Sequence, residues 1–242
     1  MIESLLLTAA RILTFDGQRA MTNASGFFFA REQRLFLVTS RHVCVDEPTQ
    51  HFPDRLQIEL HTEERNLAKS IGFSIPLYAN GKSLWRQAVD GTGEVDIAVL
   101  EIHHHLLPEK TLYRAFTLDH LPDANEEVEV GSPLLIVGFP LGFHDWLHHM
   151  PVVRHAVIAS SFGLRFQGQG YFLTDARTHR GTSGAPVVRR INDAGGALGD
   201  LPWQLLGVHS ARLDLGTRDQ ELDEALGLNC SWYADILATL TE

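Results

Sequence analysis

The 242-residue sequence contains only two cysteines, Cys44 and Cys230. Small secreted folds that depend on disulfides use many more, so a disulfide scaffold is excluded as the source of stability. No block of lysine and arginine stands out and the formal net charge is -10, which argues against nucleic acid as a partner. The composition, with 44% hydrophobic residues, is that of a globular protein able to bury one or two cores.

The N-terminus lacks the pattern of a targeting segment. Its apolar run, MIESLLLTAARILTF, has no basic stretch ahead of it and is interrupted by Arg11. This pattern fits neither a signal peptide nor a membrane span. We therefore expect a cytoplasmic protein with no membrane partner.

Most of the chain has the pattern of short β-strands. A polar turn separates the apolar runs 26–30 and 35–39, which is typical of a hairpin, and residues 56–61 alternate apolar and polar. Further strand patterns cover residues 95–102, 133–138, 152–160, 170–174, 185–188 and 204–209. The polar stretch 103–128 is the best candidate linker. Residues 231–240 have helical spacing, with Ser231 as the expected N-cap. The pattern predicts an all-β pair of barrels or sandwiches with a C-terminal helix.

Three segments contain residues suited to nucleophilic catalysis, in the order His42, Asp96, Ser183. A serine hydroxyl is a poor nucleophile at neutral pH and needs a neighbouring base, and histidine titrates in the right range. A carboxylate on the second imidazole nitrogen fixes the tautomer and stabilises the imidazolium. Because a lone Asp in an apolar strand is costly, Asp96 needs such a partner. We predict a triad of these three residues.

The glycines on either side of Ser183 suit a second catalytic task. A tetrahedral oxyanion needs backbone N–H donors aimed at one point, and glycine permits the tight turn that this requires. We predict that the backbone N–H groups of Gly181 and Ser183 are the donors.

These segments, LVTSRHV, VDIAVL and RGTSGAP, resemble the TAAHV, DIAVL and GNSGGP motifs of trypsin-like serine proteases. Similar matches occur at residues 25–29, 137–142, 174–176 and 206–210, and the nearest likeness is to HtrA-type and other bacterial members without disulfides. The resemblance implies the chymotrypsin fold, all-β, with two six-stranded antiparallel β-barrels and a C-terminal α-helix. Residues 1–118 would carry His42 and Asp96 and residues 119–242 would carry Ser183, with the active site between the barrels. It implies a serine endopeptidase acting on a protein or peptide substrate, with no cofactor.

The resemblance also suggests a specificity. Members that cut after Glu or Gln place a Thr five residues before the nucleophile and a His in a GxH strand, as Thr178 and His209 stand here. A P1 Glu or Gln is therefore one hypothesis, and a small or apolar P1 residue is the other. Ser210 and Arg212 are expected to line the cleft.

The sequence departs from the family pattern at several positions. Thr182 replaces the Asp that receives a newly cut N-terminus in digestive trypsins, which argues against zymogen activation. Arg212 stands where a Gly often admits substrate, Ala185 replaces a second Gly, and Arg41 replaces an Ala. These departures keep two alternatives open: a protease-like module that serves binding or regulation, and a protease latent until an activating partner reshapes it.

Histidine clusters occur at residues 103–105 and 144–149. Successive strand residues point to opposite faces, so the triple His cannot converge on one ion, and the second cluster has the pattern of a loop. We expect no metal site. Cys44 is expected to be a packed, free thiol.

Overall fold

The computed structural model describes residues 2–123, 126–191, 196, 198–213 and 226–242. The first half of this chain is built from antiparallel strands. They are β1 (Ala9–Asp16), β2 (Arg19–Arg31), β3 (Arg34–Thr39), β4 (Arg55–His61), β5 (Ser70–Pro76), β6 (Tyr78–Ala79), β7 (Lys82–Ser83), β8 (Trp85–Arg86), β9 (Val89–Asp90), β10 (Gly93–Glu94) and β11 (Ala98–Ile102).

Seven of these strands form one sheet in the order β5-β4-β1-β2-β3-β11-β8, and two short hairpins, β6-β7 and β9-β10, lie beside it. Alternation of side chains explains the strands: β1 and β4 bury every second residue, whereas β3 is buried along almost its whole length. The sheet has one strand more than the six expected, because the two-residue strand β8 pairs with the outer edge of β11.

The second half forms a closed barrel of six strands in the order β12-β13-β14-β17-β16-β15. They are β12 (Pro133–Gly138), β13 (Val152–Ile158), β14 (Tyr171–Asp175), β15 (Pro186–Arg190), β16 (Trp203–Arg212) and β17 (Leu228–Tyr233). The all-β class and the six-stranded C-terminal barrel predicted from the sequence are confirmed.

The predicted helix over residues 231–240 is wrong in its first part. Ser231 lies inside β17, where it pairs with Phe172 on one side and His209 on the other. The barrel cannot close without this strand, so pairing with two neighbours overrides the helical spacing. The chain turns helical only afterwards, in a 3-10 turn (Ala234–Ile236) followed by α2 (Leu237–Leu240).

The remaining helical elements are short. They are α1 (Arg41–Cys44) and 3-10 turns at Ser4–Thr8, His104–Leu106, Leu118–His120, Pro140–Gly142 and Phe166–Gly168. The predicted linker holds two of these turns, and residues 124–125 of it lie outside the described residues. No helix in the part of the chain that the structure describes is long and apolar enough to cross a membrane.

Three apolar clusters stabilise the molecule. One fills the N-terminal sheet around Ile12, Leu37 and Ile58, and another fills the barrel around Ile136 and Phe172. The third is shared by the two halves and joins Phe27, Phe29 and Phe36 to Val208 and Trp232. Burial of this shared cluster fixes the two halves against each other, so loops at their junction are held in place.

Candidate active site

Strand pairing brings His42 and Asp96 together. β3 and β11 are antiparallel neighbours, and Thr39 at the end of β3 pairs with Ala98 at the start of β11. His42 follows Thr39 in the short helix α1, and Asp96 precedes Ala98. The two side chains therefore lie at the same edge of the sheet. Asp96 was expected inside a strand, but the strand begins only at Ala98, which leaves its carboxylate free to turn toward His42.

The Asp96 carboxylate holds His42 through two hydrogen bonds. The backbone N–H of His42 donates to Oδ1 at 2.9 Å, and Nδ1 of the imidazole lies 2.8 Å from Oδ2. With its Nδ1–H donated to Asp96, the imidazole keeps a lone pair on Nε2 for proton abstraction. This is the tautomer that a general base requires.

The pKa values of the pair follow from burial and mutual contact. Burial favours the neutral imidazole, but the hydrogen bond and charge of Asp96 outweigh it and raise the pKa of His42 above its ordinary value. Burial also opposes ionisation of Asp96, yet the hydrogen bonds from His42 and Ser210 lower the pKa of that carboxyl. Asp96 is thus an anion at neutral pH.

Ser210 has a place that the sequence did not indicate. Its hydroxyl donates to Oδ2 of Asp96 at 2.5 Å, and the residue is only 6% exposed. It was expected to line the substrate cleft; the structure instead places its hydroxyl on the carboxylate. A bulge between His209 and Ala211, where β16 pairs with β17, breaks the regular register beside it. The sequence pattern does not predict this bulge.

Ser183 lies in the turn between β14 and β15, and this turn is hydrogen-bonded to both halves of the molecule. The neighbouring Gly184 N–H donates to the His209 carbonyl at 2.7 Å, and the Ser183 carbonyl accepts from Ser25 N–H at 2.9 Å. Gly184 has φ +84°, and a Cβ on it would collide with the Ser25 carbonyl oxygen, so only glycine fits. Ser183 itself stays half-buried.

The peptide between Arg180 and Gly181 has a defined orientation. The Arg180 carbonyl accepts a hydrogen bond from Leu141 N–H at 2.5 Å, on the side of the 3-10 turn Pro140–Gly142. In a trans peptide the C=O and N–H point in opposite directions, so the Gly181 N–H points away from Leu141. The N–H groups of Gly181 and Ser183 find no acceptor among the described residues. Two unpaired donors beside a serine form a site for an oxyanion.

The hydroxyl of Ser183 makes no hydrogen bond to His42 or to any other described residue. Asp96 is therefore hydrogen-bonded to His42, and the turn that carries Ser183 lies between the two halves of the molecule. The hydrogen bond from the Ser183 hydroxyl to His42 is not formed. Such links are commonly long before substrate arrives and tighten in the complex.

Thr178 and His209 both lie buried in the barrel near Ser183. The Thr178 hydroxyl donates to Asn229 Oδ1 at 2.5 Å, while Asn229 Nδ2 donates to the carbonyls of Ala176 and Gly227 at 2.8 and 2.9 Å. These bonds fix the amide orientation, so Thr178 gives its proton to Asn229 and retains only acceptor capacity.

His209 is a buried neutral histidine. It is 2% exposed, and burial lowers its pKa to about 3, with a further contribution from His42. Its Nδ1 has no hydrogen-bond partner within the described part of the chain. A neutral imidazole still has one N–H donor and one acceptor, so the residue remains able to bind a polar group.

Residues 24–199 match the sequence model of the trypsin-like peptidase domain. The chain belongs to this family. No curated protein sequence matches it significantly. Among solved structures, a serine endoprotease from Yersinia pestis is similar, with 15% identity and a TM-score of 0.57 over 98% of this chain. The active form of a protease from M. tuberculosis follows, with 16% identity and a TM-score of 0.51 over 98% of this chain and 80% of its own. This chain spans only 62% of the Yersinia protein.

Arg41 and Arg212, which depart from the sequence pattern of trypsin-like peptidases, have different surroundings. Arg41 forms ion pairs with Glu94 at 3.1 Å and Glu47 at 3.5 Å, so its charge is compensated next to His42. Arg212 ends β16 opposite Asn229 and is half-buried. Its backbone therefore lies beside Asn229, which accepts the hydrogen bond of the Thr178 hydroxyl.

Cys44 is free and fully buried, and burial raises the pKa of its thiol, so this trypsin-like peptidase holds it as an unreactive packed group. Across the residues described, no group of three or more His, Cys, Asp or Glu side chains is arranged to hold a metal.

Proposed function

We propose that this trypsin-like peptidase is a serine endopeptidase with Ser183 as nucleophile, His42 as base and Asp96 as the group that orients the base. The observation that carries the proposal is the doubly hydrogen-bonded Asp96–His42 pair at the junction where the Ser183 turn presents its unpaired N–H donors. A buried carboxylate that binds both the backbone and the ring of one histidine fixes that ring for proton transfer.

The proposed cycle follows from these positions. The Ser183 oxygen attacks the scissile carbonyl while Nε2 of His42 takes the hydroxyl proton. The resulting oxyanion is bound by the N–H groups of Gly181 and Ser183. His42 then passes its proton to the leaving amine as the C–N bond breaks, which leaves an acyl-enzyme. Water, deprotonated by His42, hydrolyses the ester and restores Ser183.

A latent or binding module is the second candidate. The absence of a hydrogen bond between the Ser183 hydroxyl and His42 favours it. Against it stands the Arg180 carbonyl, which is bound by Leu141 rather than turned into the cleft. A flipped peptide at this point would remove the Gly181 donor. We therefore rank the active endopeptidase first.

The proposal is tested by incubating the purified chain with a library of quenched fluorescent peptides and reading cleavage sites by mass spectrometry. We expect cleavage inside the peptides, and an activated ester substrate should release a burst of its alcohol that marks the acyl-enzyme. A folded protein that cuts nothing alone, and gains activity only with an added partner, would support the latent module instead.

The pH dependence of kcat/KM should reflect His42. Because the neutral imidazole is the active form and Asp96 raises the pKa of His42, activity should rise with pH through an apparent pKa above about 6.5. In Asp96→Asn, burial acts without the opposing charge, so the acid limb of the residual activity should move to lower pH. Rate profiles between pH 5 and 9 test this. An acid limb unchanged by the substitution would contradict the assignment of the pair.

We further propose that the pocket containing Thr178 and His209 prefers Gln at P1. Since Thr178 retains only acceptor capacity and His209 is neutral, a carboxamide can donate to one and accept from the other. A carboxylate would place its lone pairs against those of Thr178. At pH 7.5 we expect kcat/KM for P1 Gln to exceed that for Glu or Leu by about tenfold or more.

Two variants and a control test the pocket. His209→Ala and Thr178→Val should remove the preference for Gln while leaving cleavage after Leu little changed. Thr174→Val is the matched control, because the buried Thr174 hydroxyl has no partner among the described residues. A uniform loss across all P1 residues, or a preference for Glu, would overturn the pocket proposal while leaving the triad unaffected.

A further inference from the structure

Ser25 is a fully buried residue of β2, 0% exposed, at the contact between the N-terminal sheet and the nucleophile turn. Its backbone N–H donates to the Ser183 carbonyl at 2.9 Å. Its side-chain Oγ donates to the Gly181 carbonyl at 2.7 Å and accepts from Phe139 N–H at 2.9 Å. One residue of the N-terminal half is thus hydrogen-bonded to both ends of the segment 181–183, here called the oxyanion turn.

The side chain of the residue before the nucleophile does not hold this turn. The Thr182 hydroxyl is buried and has no hydrogen-bond partner within the described chain. Two hydrogen bonds lie within the turn, from Thr182 N–H to the His179 carbonyl and from Ala185 N–H to the Thr182 carbonyl, and Leu141 binds the Arg180 carbonyl. The carbonyls of Gly181 and Ser183 are bound from the N-terminal half, and both bonds come from Ser25.

The Ser25 site needs a small side chain that can both donate and accept a hydrogen bond. Its Oγ must accept from Phe139 N–H and donate to the Gly181 carbonyl at once, which a hydroxyl does and a methyl group does not. A Cβ built on Gly138 would lie 2.6 Å from this Oγ, so the glycine beside it leaves just enough room. Loss of the hydroxyl would leave a buried N–H and a C=O without partners.

We propose that Ser25 is a positioning residue that holds the Gly181–Ser183 turn with its N–H donors facing the cleft. This inference rests on the proposed endopeptidase function. The Ser25 hydroxyl fixes the peptide between Gly181 and Thr182, and the Ser25 N–H fixes the peptide between Ser183 and Gly184. These two peptides flank the one that carries the Ser183 N–H, so that donor is held from both sides. The turn therefore depends on the docking of the two halves of the molecule.

The test is Ser25→Ala against the matched control Thr14→Val. Thr14 is also fully buried in the sheet, and its hydroxyl likewise accepts a backbone N–H, from Thr22 at 3.0 Å, away from the nucleophile turn. Ser25→Ala removes buried hydrogen bonds, whereas Thr14→Val removes part-buried ones to the exposed Thr22, so thermal stability should fall in both variants and further in Ser25→Ala. Only Ser25→Ala should lower kcat, by about 10- to 100-fold, with KM within about twofold.

Inhibitor affinity distinguishes a positioning role of Ser25 from a role in stability alone. A peptidyl boronic acid forms a tetrahedral adduct with a serine and places an anionic oxygen at the donors, whereas a product peptide does not. Ser25→Ala should weaken boronate affinity by the factor lost in kcat and leave product affinity unchanged. Ser25→Cys, which retains a weak donor, should give an intermediate kcat.

The inference is overturned if Ser25→Ala loses no more activity than Thr14→Val, or if its loss lies in KM. Should Ser25→Ala fail to fold, Ser25→Cys carries the test, and a wild-type kcat in that variant overturns it. An inert wild type would instead be a failure of the proposed endopeptidase function, and boronate binding would then be absent in every variant.

Discussion

Ser183→Ala is expected to lower kcat for peptide hydrolysis by about 10⁵-fold or more, because the nucleophile is removed and only donor and binding effects remain. The melting temperature should change little, since Ser183 is half-buried and its hydroxyl makes no hydrogen bond with the described residues. Steady-state kinetics with the best library peptide, alongside thermal unfolding, measure both quantities.

Ser161→Ala is a suitable control for this substitution, because Ser161 is exposed in a loop away from the three segments. It should behave as the wild type in both measurements. Retention of more than about one hundredth of the wild-type kcat in Ser183→Ala would contradict the assignment of the nucleophile.

Asp96→Asn is expected to lower kcat by about 10⁴-fold. Asp96 accepts from the His42 backbone, from the His42 ring and from Ser210, and an amide offers one acceptor oxygen in place of two. If the amide nitrogen faces the ring, it favours the tautomer with its proton on Nε2, which cannot accept the Ser183 proton. Stopped assays at high enzyme concentration measure the remaining rate.

Asp46→Asn is the matched control for Asp96→Asn. The charge of Asp46 also acts on His42, but no hydrogen bond joins the two side chains. Asp46→Asn removes the charge of Asp46 but no hydrogen bond to His42, so kcat should change by less than about threefold. If both variants lose activity equally, the role of Asp96 is electrostatic only, and the orientation of the His42 tautomer plays no part.

The fold class and the three key segments were predictable from the sequence, because each depends on local pattern. The strand before His42 is nearly all apolar, the strand after Asp96 likewise, and glycines mark the turn at Ser183. Antiparallel pairing then places the ends of β3 and β11 side by side without further information. Local pattern and pairing together account for most of the site.

The errors and omissions come from contacts between residues far apart in the chain. The apolar spacing at residues 231–240 predicts a helix, but closure of the barrel requires a strand there. The Thr178 hydroxyl is oriented by Asn229, which lies 51 residues away, and Ser210 reaches Asp96 across 114 residues. Side-chain hydrogen bonds of this range leave no periodicity in the sequence.

The anchoring of the oxyanion turn is the least predictable feature. The sequence shows only that Thr182 stands where digestive trypsins have an Asp, which argues against zymogen activation. It gives no sign that Ser25, 156 residues before Gly181 in the hydrogen-bonded pair, takes up the Gly181 carbonyl. Only the packing of the N-terminal sheet against the barrel brings that hydroxyl to the turn.

The central claim, that Ser183 is activated by His42, is tested most directly by labelling with a fluorophosphonate and locating the adduct by mass spectrometry. We expect one adduct per chain, on Ser183. The labelling rate should rise with pH along the His42 profile, and labelling should be abolished in Ser183→Ala. Labelling should be slow in His42→Ala, because the base is absent. A folded wild type that stays unlabelled, or that is labelled on another residue, would show that Ser183 is not activated by His42.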